Sequence, residues 1–245
     1  MPTPVLDPVS AVHTAAFRVA LRRRLTEKYG PPSLAESWKP FCPLIPTLKQ
    51  GSFLALDCRE ALYGGAAGPG KSMALLMAAL QYVGQPHYAA LLLRKNFSDL
   101  SLPGALMDMA ATWLRPTVAQ WHAGEKTWRF PSGASLTFGF LDNSQDKYRY
   151  QSAEFQFVGF DELTQFPESD YLFLFSRLRR LQGVGIPIRM RSASNPGNIG
   201  HDWVKQRFMA EANTERVYLP ATLADNPYLD RAEYEKTLAE LDPIT

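Results

Sequence analysis

Gly65-Ala66-Ala67-Gly68-Pro69-Gly70-Lys71-Ser72 fits the pattern G-x-x-x-x-G-K-[ST], a spacing suited to holding the phosphates of a nucleotide. Glycines let successive backbone N–H groups turn inward around an anion. A helix that starts where the loop ends adds the positive end of its dipole. From such a loop Lys71 reaches the β- and γ-phosphates, and the Ser72 hydroxyl ligates Mg²⁺. The chain thus announces a nucleoside triphosphate, ATP being the expected one, together with a magnesium ion.

A phosphate loop needs acids opposite it. Phe155-Gln156-Phe157-Val158-Gly159-Phe160-Asp161-Glu162 places two after an apolar run. Such a run reads as a buried strand, and ligands bind at the carboxyl ends of strands in open α/β sheets. Asp161 is placed to hold Mg²⁺, directly or through water, and Glu162 to orient and deprotonate an attacking water. The second, adjacent acid points to ATP hydrolysis of the motor type rather than to a GTP switch or a small-molecule kinase. Arg191-Ser192-Ala193-Ser194-Asn195-Pro196 closes a further strand. Ser194 and Asn195 are the polar residues there that would sense the γ-phosphate.

These residues require a strand–loop–helix followed by further strands, and the rest of the sequence supplies them. Glu60 to Tyr63 reads as a short strand and Met73 to Val83 as an apolar helix. Tyr88 to Leu93 is a continuous apolar run of the kind buried in parallel sheets. Phe97 to Leu114 reads as helical with an interruption at Pro103-Gly104. Lys126 to Phe130 and Ser135 to Phe140 flank Pro131-Ser132-Gly133, a hairpin signal. Ile186 to Ser192 and Arg216 to Leu219 are further strands, and Asp202 to Ala210 is a helix. Strands alternating with helices give an α/β fold with a mostly parallel sheet. Ahead of it, Val9 to Leu25 has helical periodicity and carries Arg22-Arg23-Arg24, read as a solvated face. Residues 1–47 are thus an N-terminal helical arm and linker, residues 48–223 the ATPase core, and residues 224–245 a small C-terminal appendage with Pro227 to Leu241 helical.

The 245 residues are 46% apolar and carry a net charge of +2, enough for a large core and against global disorder. Cys42 and Cys58 have no metal-type spacing and read as buried thiols in a reducing compartment. No apolar run approaches the length of a membrane span, and the first residues lack the charged-then-apolar order of a secretory signal.

The pieces, in their order, resemble the large terminase subunit of tailed double-stranded DNA bacteriophages, in its N-terminal packaging ATPase. The resemblance is carried by Leu62 to Ser72, Leu93-Arg94-Lys95, Gly159 to Phe166, Ser176 to Arg179, Ser194 to Gly197 and Asp225 to Leu229. It implies a RecA-like P-loop fold of the additional-strand, catalytic-glutamate class, with a lid subdomain formed by residues 224–245. It implies that Gln50 lies beside the adenine and that Ser194 and Asn195 form the coupling motif. It further implies a homo-oligomeric ring, usually a pentamer, acting on double-stranded DNA with a portal protein and a small terminase subunit, in the host cytoplasm on a procapsid. In such a ring a neighbour supplies an arginine finger. Arg149 is the first candidate here, ahead of Arg177, Arg179 and Arg180.

A ring that grips DNA whatever its sequence needs cations on the phosphate backbone. Arg94, Lys95, Lys126, Arg129 and Arg177 to Arg180 are the candidates, whereas Trp121 and Trp128 read as packing residues. Full-length members also carry a nuclease domain. These residues leave no length for one, so DNA cleavage is not expected of them. Two rivals stay open: another RecA-like helicase or translocase, and a scaffold that binds nucleotide only for assembly.

Overall fold

The computed structural model describes residues 38–65, 68–182, 184–210 and 215–226. The helical arm at Val9 to Leu25, the C-terminal helix at Pro227 to Leu241, and Ala66 and Ala67 of the phosphate loop lie outside them.

Helix α1 spans Leu48–Ala55, strand β1 Glu60–Gly65, α2 Lys71–Leu80 and β2 Ala89–Arg94. Two short helices follow, α3 at Phe97–Ser101 and α4 at Leu106–Leu114. Then come β3 at Gln120–His122, β4 at Thr127–Arg129 and β5 at Ser135–Phe140. The second half holds β6 at Phe157–Asp161, α5 at Glu168–Phe175, β7 at Arg189–Ser194, α6 at His201–Met209 and β8 at Arg216–Ala221.

The eight strands form one sheet in the order β3-β4-β5-β2-β6-β7-β1-β8. From β5 to β8 every neighbouring pair is parallel, and β3 and β4 join the β5 edge antiparallel. The strand that feeds the phosphate loop, β1, is therefore separated from the acid-bearing strand, β6, by β7. This inserted strand fits the additional-strand class.

Side chains alternate across the pleat, so the same strands build two cores. Ala61, Tyr63, Ala90, Leu92 and Phe157 pack on one face with Leu75, Leu76 and Ala79 of α2 and Trp113 of α4. Leu62, Leu91, Leu93, Val158 and Phe160 pack on the other with Tyr171 and Leu174 of α5 and Val204 and Phe208 of α6. Helices cover both faces, as an all-parallel region requires.

Two buried ionic groups fix the frame. Arg191 is 1% exposed, and its guanidinium donates to the carbonyls of Leu56, Cys58 and Met190, holding the link from α1 to β1. Glu60, at the start of β1, accepts from Arg207 at 2.8 and 3.1 Å and from the Tyr171 hydroxyl at 2.8 Å. That carboxylate ties β1 to α5 and α6.

The helix read across Pro103-Gly104 is broken there into α3 and α4, because proline has no N–H to donate. Helices α1 and α5 and strand β3 have no counterpart in the sequence reading. Phe41 and Cys42, ahead of residue 48, are already buried in the core, Phe41 edge-on to Phe130 at 4.9 Å. Both cysteines are buried free thiols, and burial pushes the Cys42 thiol up to about 11. Trp128 is buried, with Trp121 packed on it at 5.3 Å. Among the described residues no helix is long and apolar enough to cross a membrane.

Candidate nucleotide site

The parallel register brings the site residues into line. Leu93 of β2 lies opposite Phe160 of β6, so Arg94 and Asp161, one step on, end their strands together. Asp161 in turn faces Ala193 of β7, and Ser194 faces Gly64 of β1. All four strands thus present their carboxyl ends at one edge, where ligands bind in such sheets.

The phosphate loop leaves β1 at Gly65, whose φ of +124° belongs to glycine. A Cβ there would lie 2.2 Å from the Ala221 carbonyl oxygen of β8. Gly65→Ala is therefore expected to cost about 2–4 kcal/mol, read as a fall of roughly 5–15 °C in the melting midpoint. An unchanged midpoint would mean that β1 and β8 do not meet this closely. Gly70, left-handed at φ +76°, caps the start of α2. Its carbonyl accepts from Gln50 Nε2 at 3.1 Å.

Gln50 also accepts from the Thr47 N–H at 2.9 Å while its own N–H donates to Thr47 Oγ1. The two residues form the capping box that starts α1. The structure thus sets Gln50 against the phosphate loop.

Lys71 is buried, and its Nζ donates to Asn195 Oδ1 at 2.6 Å. Burial lowers its pKa, an effect that Glu162 and Asp161 oppose. Ser72 Oγ donates to Asp161 Oδ1 at 2.8 Å. On the other oxygen, Arg94 Nε donates to Asp161 Oδ2 at 2.7 Å. Asp161 itself is 1% exposed. Arg94, a DNA-contact candidate in the sequence, thus shares Asp161 with Ser72 of the phosphate loop. The clue was available, since it ends an apolar strand at the edge where ligands bind.

Glu162 adopts a left-handed backbone, φ 55° and ψ 55°, a conformation costing a side-chain-bearing residue of order 1–3 kcal/mol. It turns the chain sharply after β6 and brings Oε2 within 3.4 Å of the Asn195 N–H. Burial, and next the charge of Asp161, raise its pKa above the ordinary glutamate value. Asn195 thus bridges Lys71 and Glu162. Ser194 is used differently: buried, it shares its hydroxyl with Thr164 Oγ1 at 2.9 Å and accepts from the Thr164 N–H. Thr164 and Asn226 lay in stretches that carried the resemblance but were given no role of their own; Asn226 Nδ2 donates to Gly68 O at 2.7 Å and ties residue 226 to the phosphate loop.

The oxygen set suits magnesium. Two neighbouring ligands of an octahedral Mg²⁺ at about 2.0–2.1 Å lie about 2.9 Å apart, close to the Ser72–Asp161 separation. Among the described residues no group of three or more His, Cys, Asp or Glu side chains gathers. A cation here would complete its shell from phosphate and water, as Mg²⁺ commonly does. Lys71 and Arg94 against Asp161 and Glu162 make a formally neutral quartet, so a triphosphate with one Mg²⁺ leaves uncompensated negative charge.

The other arginines lie apart. Arg149 sits on a single helical turn, Asp146–Tyr150, after β5. Its side chain is 50% exposed and pairs with Asp146 over the Phe140 ring. Residues 177–180 are at the amino end of β6, where Phe155 pairs with Leu178, the sheet end opposite the phosphate loop. Arg177 donates to Gln151 O, Arg179 meets Glu154 at 3.4 Å, and Arg180 donates to Ile186 O. Lys95 Nζ donates to Leu141 O at 2.6 Å.

Residues 62–243 match the family described as terminase large subunit, T4likevirus-type, N-terminal. In structure the chain is similar to the large terminase of a thermophilic bacteriophage, at 15% identity and a TM-score of 0.65, over 82% of this chain and 52% of that one. It spans, then, about half the length of that relative. The ATPase domain of the Thermus phage P74-26 large terminase aligns at 12% identity and a TM-score of 0.56, covering 85% of this chain and 94% of that domain. The HK97 bacteriophage large terminase aligns at 11% identity and a TM-score of 0.56, covering 84% and 46%. At such identities the likeness establishes the fold, a RecA-like α/β sheet. Comparison with curated protein sequences finds no match.

Proposed function

The chain belongs to the large terminase subunits, in their N-terminal part, and from that premise we propose that it is an ATP-hydrolysing motor that drives double-stranded viral DNA into a preformed capsid. The observation that carries the reading is the convergence of Lys71, Ser72, Asp161, Glu162 and Asn195 at one edge of the sheet.

The loop amides at the start of α2 and Lys71 bind the β- and γ-phosphates. Ser72 and Asp161 would hold a magnesium ion, which would supply positive charge against the phosphates. Glu162 takes a proton from water as its oxygen bonds to the γ-phosphorus and the bridging bond to ADP breaks, leaving ADP and phosphate. Asn195 holds Lys71 before nucleotide arrives and yields it to the γ-phosphate. Through its contact with Glu162 it reports whether that phosphate is present. Asn226 carries the loop's movement into residues 224–245, the proposed lid. Arg149, half exposed, is the proposed finger for a neighbouring subunit in a ring, where it would offset the surplus negative charge. Gln50 is proposed to support the adenine side of the site. The exposed Arg179 and Arg180, with Lys95 and the half-buried Arg177, are proposed for the DNA track. The portal protein and the small terminase subunit are the proposed partners, on a procapsid in the host cytoplasm.

The test is ATP-driven displacement of a third strand from a triplex on duplex DNA, with phosphate release followed alongside. The wild-type chain is expected to displace the third strand without parting the duplex. Lys71→Ala is expected to lose at least about 100-fold in phosphate release. Separation of the duplex would make it a helicase, and tight ATP binding without turnover an assembly scaffold.

A further inference from the structure

Asp161 has two claimants. Its Oδ1 accepts from Ser72 and its Oδ2 from Arg94 Nε, and the carboxylate is almost wholly buried. A buried carboxylate left unpaired is costly, so the arginine neutralises it. Yet Asp161 is also the acid that fits a magnesium ion. A guanidinium and a divalent cation on one carboxylate repel each other, strongly so away from bulk water. Whichever oxygen the ion takes, binding of one weakens the other.

The rest of Arg94 has somewhere to go. Its side chain is 20% exposed, and its terminal nitrogens donate to no protein group among the described residues. It stands at the end of β2, level with Asp161 and beside the mouth of the phosphate loop. It also acts on Glu162, whose pKa it helps to lower against the effect of burial.

We propose that Arg94 is the counter-ion of Asp161, holding it until metal and nucleotide arrive and then passing its charge to the phosphates. This rests on the ATP reading above and adds to it a positioning residue supplied in cis, distinct from any finger supplied by a neighbour. Arg94 sets how strongly nucleotide binding depends on the divalent cation. Without metal it shields the triphosphate from Asp161. With metal it is the rival that the ion displaces. The coupling between ion and nucleotide is therefore smaller with Arg94 present than without it.

The measurement is the affinity for a fluorescent non-hydrolysable ATP analogue in saturating Mg²⁺ divided by its affinity in EDTA. In Arg94→Gln this ratio is expected to rise by at least about tenfold over wild type, equivalent to about 1.4 kcal/mol. Binding falls in EDTA, where Asp161 is left bare against the triphosphate, and falls much less in Mg²⁺, where the ion takes over that carboxylate. Arg94→Lys keeps the charge and is expected to stay close to wild type. An equal ratio in Arg94→Gln and wild type would overturn the proposal. Should Arg94→Gln fail to fold, the Arg94 Nε–H resonance of the wild type carries the test. It is expected to move when Mg²⁺ is added to the analogue complex, and an unmoved resonance would overturn the proposal. A wild type that binds the analogue under neither condition would instead refute the ATP reading.

Discussion

Glu162→Gln is expected to lower ATP turnover by about 10²–10⁴-fold while nucleotide affinity stays within about threefold of wild type. The substitution keeps shape and one hydrogen-bond acceptor, so the weak contact with the Asn195 N–H survives and the loop that binds phosphate is untouched. What is lost is the ability to take a proton. The environment suits the proposed role: burial first, and then Asp161, raise the Glu162 pKa, and a carboxylate so shifted is a better base near neutrality. The sign of the pH dependence follows. A base works only when ionised, so turnover climbs with pH through a midpoint above the ordinary glutamate range and then levels off. Glu162→Gln should abolish that limb along with most of the rate. Initial rates across pH, together with analogue binding, check both. Near-normal turnover in Glu162→Gln would remove Glu162 from the chemistry.

The second large effect concerns Arg149. If it completes a neighbour's site, Arg149→Ala loses about 10³–10⁵ in turnover, the contribution typical of such fingers. The fold should hardly change. The side chain is half exposed, an exposed ion pair contributes about 0–1 kcal/mol, and Asp146 keeps its acceptor bonds from the Asp142 and Asn143 N–H groups. The decisive measurement mixes two dead proteins. Arg149→Ala retains a sound Glu162, and Glu162→Gln retains a sound finger. In a head-to-tail ring assembled from equal parts, about a quarter of adjacent pairs combine both. Activity should then reappear and rise with protein concentration. Mixtures as inactive as either parent would place Arg149 in its own subunit's site. Undiminished activity of Arg149→Ala alone would move the finger elsewhere.

Much of this molecule was legible before it folded, and the limits of that reading are physical. The phosphate loop is a contiguous device: glycine torsions, a lysine and a helix start act within eight residues, so spacing alone declares it. Asp161 and Glu162 follow an apolar run for the same local reason. Strands β1, β2, β4, β5, β6, β7 and β8 were visible in the sequence, with ends that match or shift by up to three residues. Helix α1 escaped because its start depends on the Thr47–Gln50 capping box rather than on a periodic apolar stripe. Helix α5 escaped because Tyr171 and Leu174 face the core while Leu172 is exposed, so its sequence shows no clean division of faces.

The partnerships inside the site are of another kind. Arg94 meets Asp161 across 67 residues, Lys71 meets Asn195 across 124, and Asn226 meets Gly68 across 158. Each follows from the order β2-β6-β7-β1-β8 and from the register that levels the strand ends. Local propensity and periodicity encode which residues form strands, but not which strands lie side by side. That order is settled by packing both faces of one sheet at once. The sequence by itself therefore determined the phosphate loop and the acidic strand end, and only the tertiary structure decided that Arg94 shares Asp161 with Ser72.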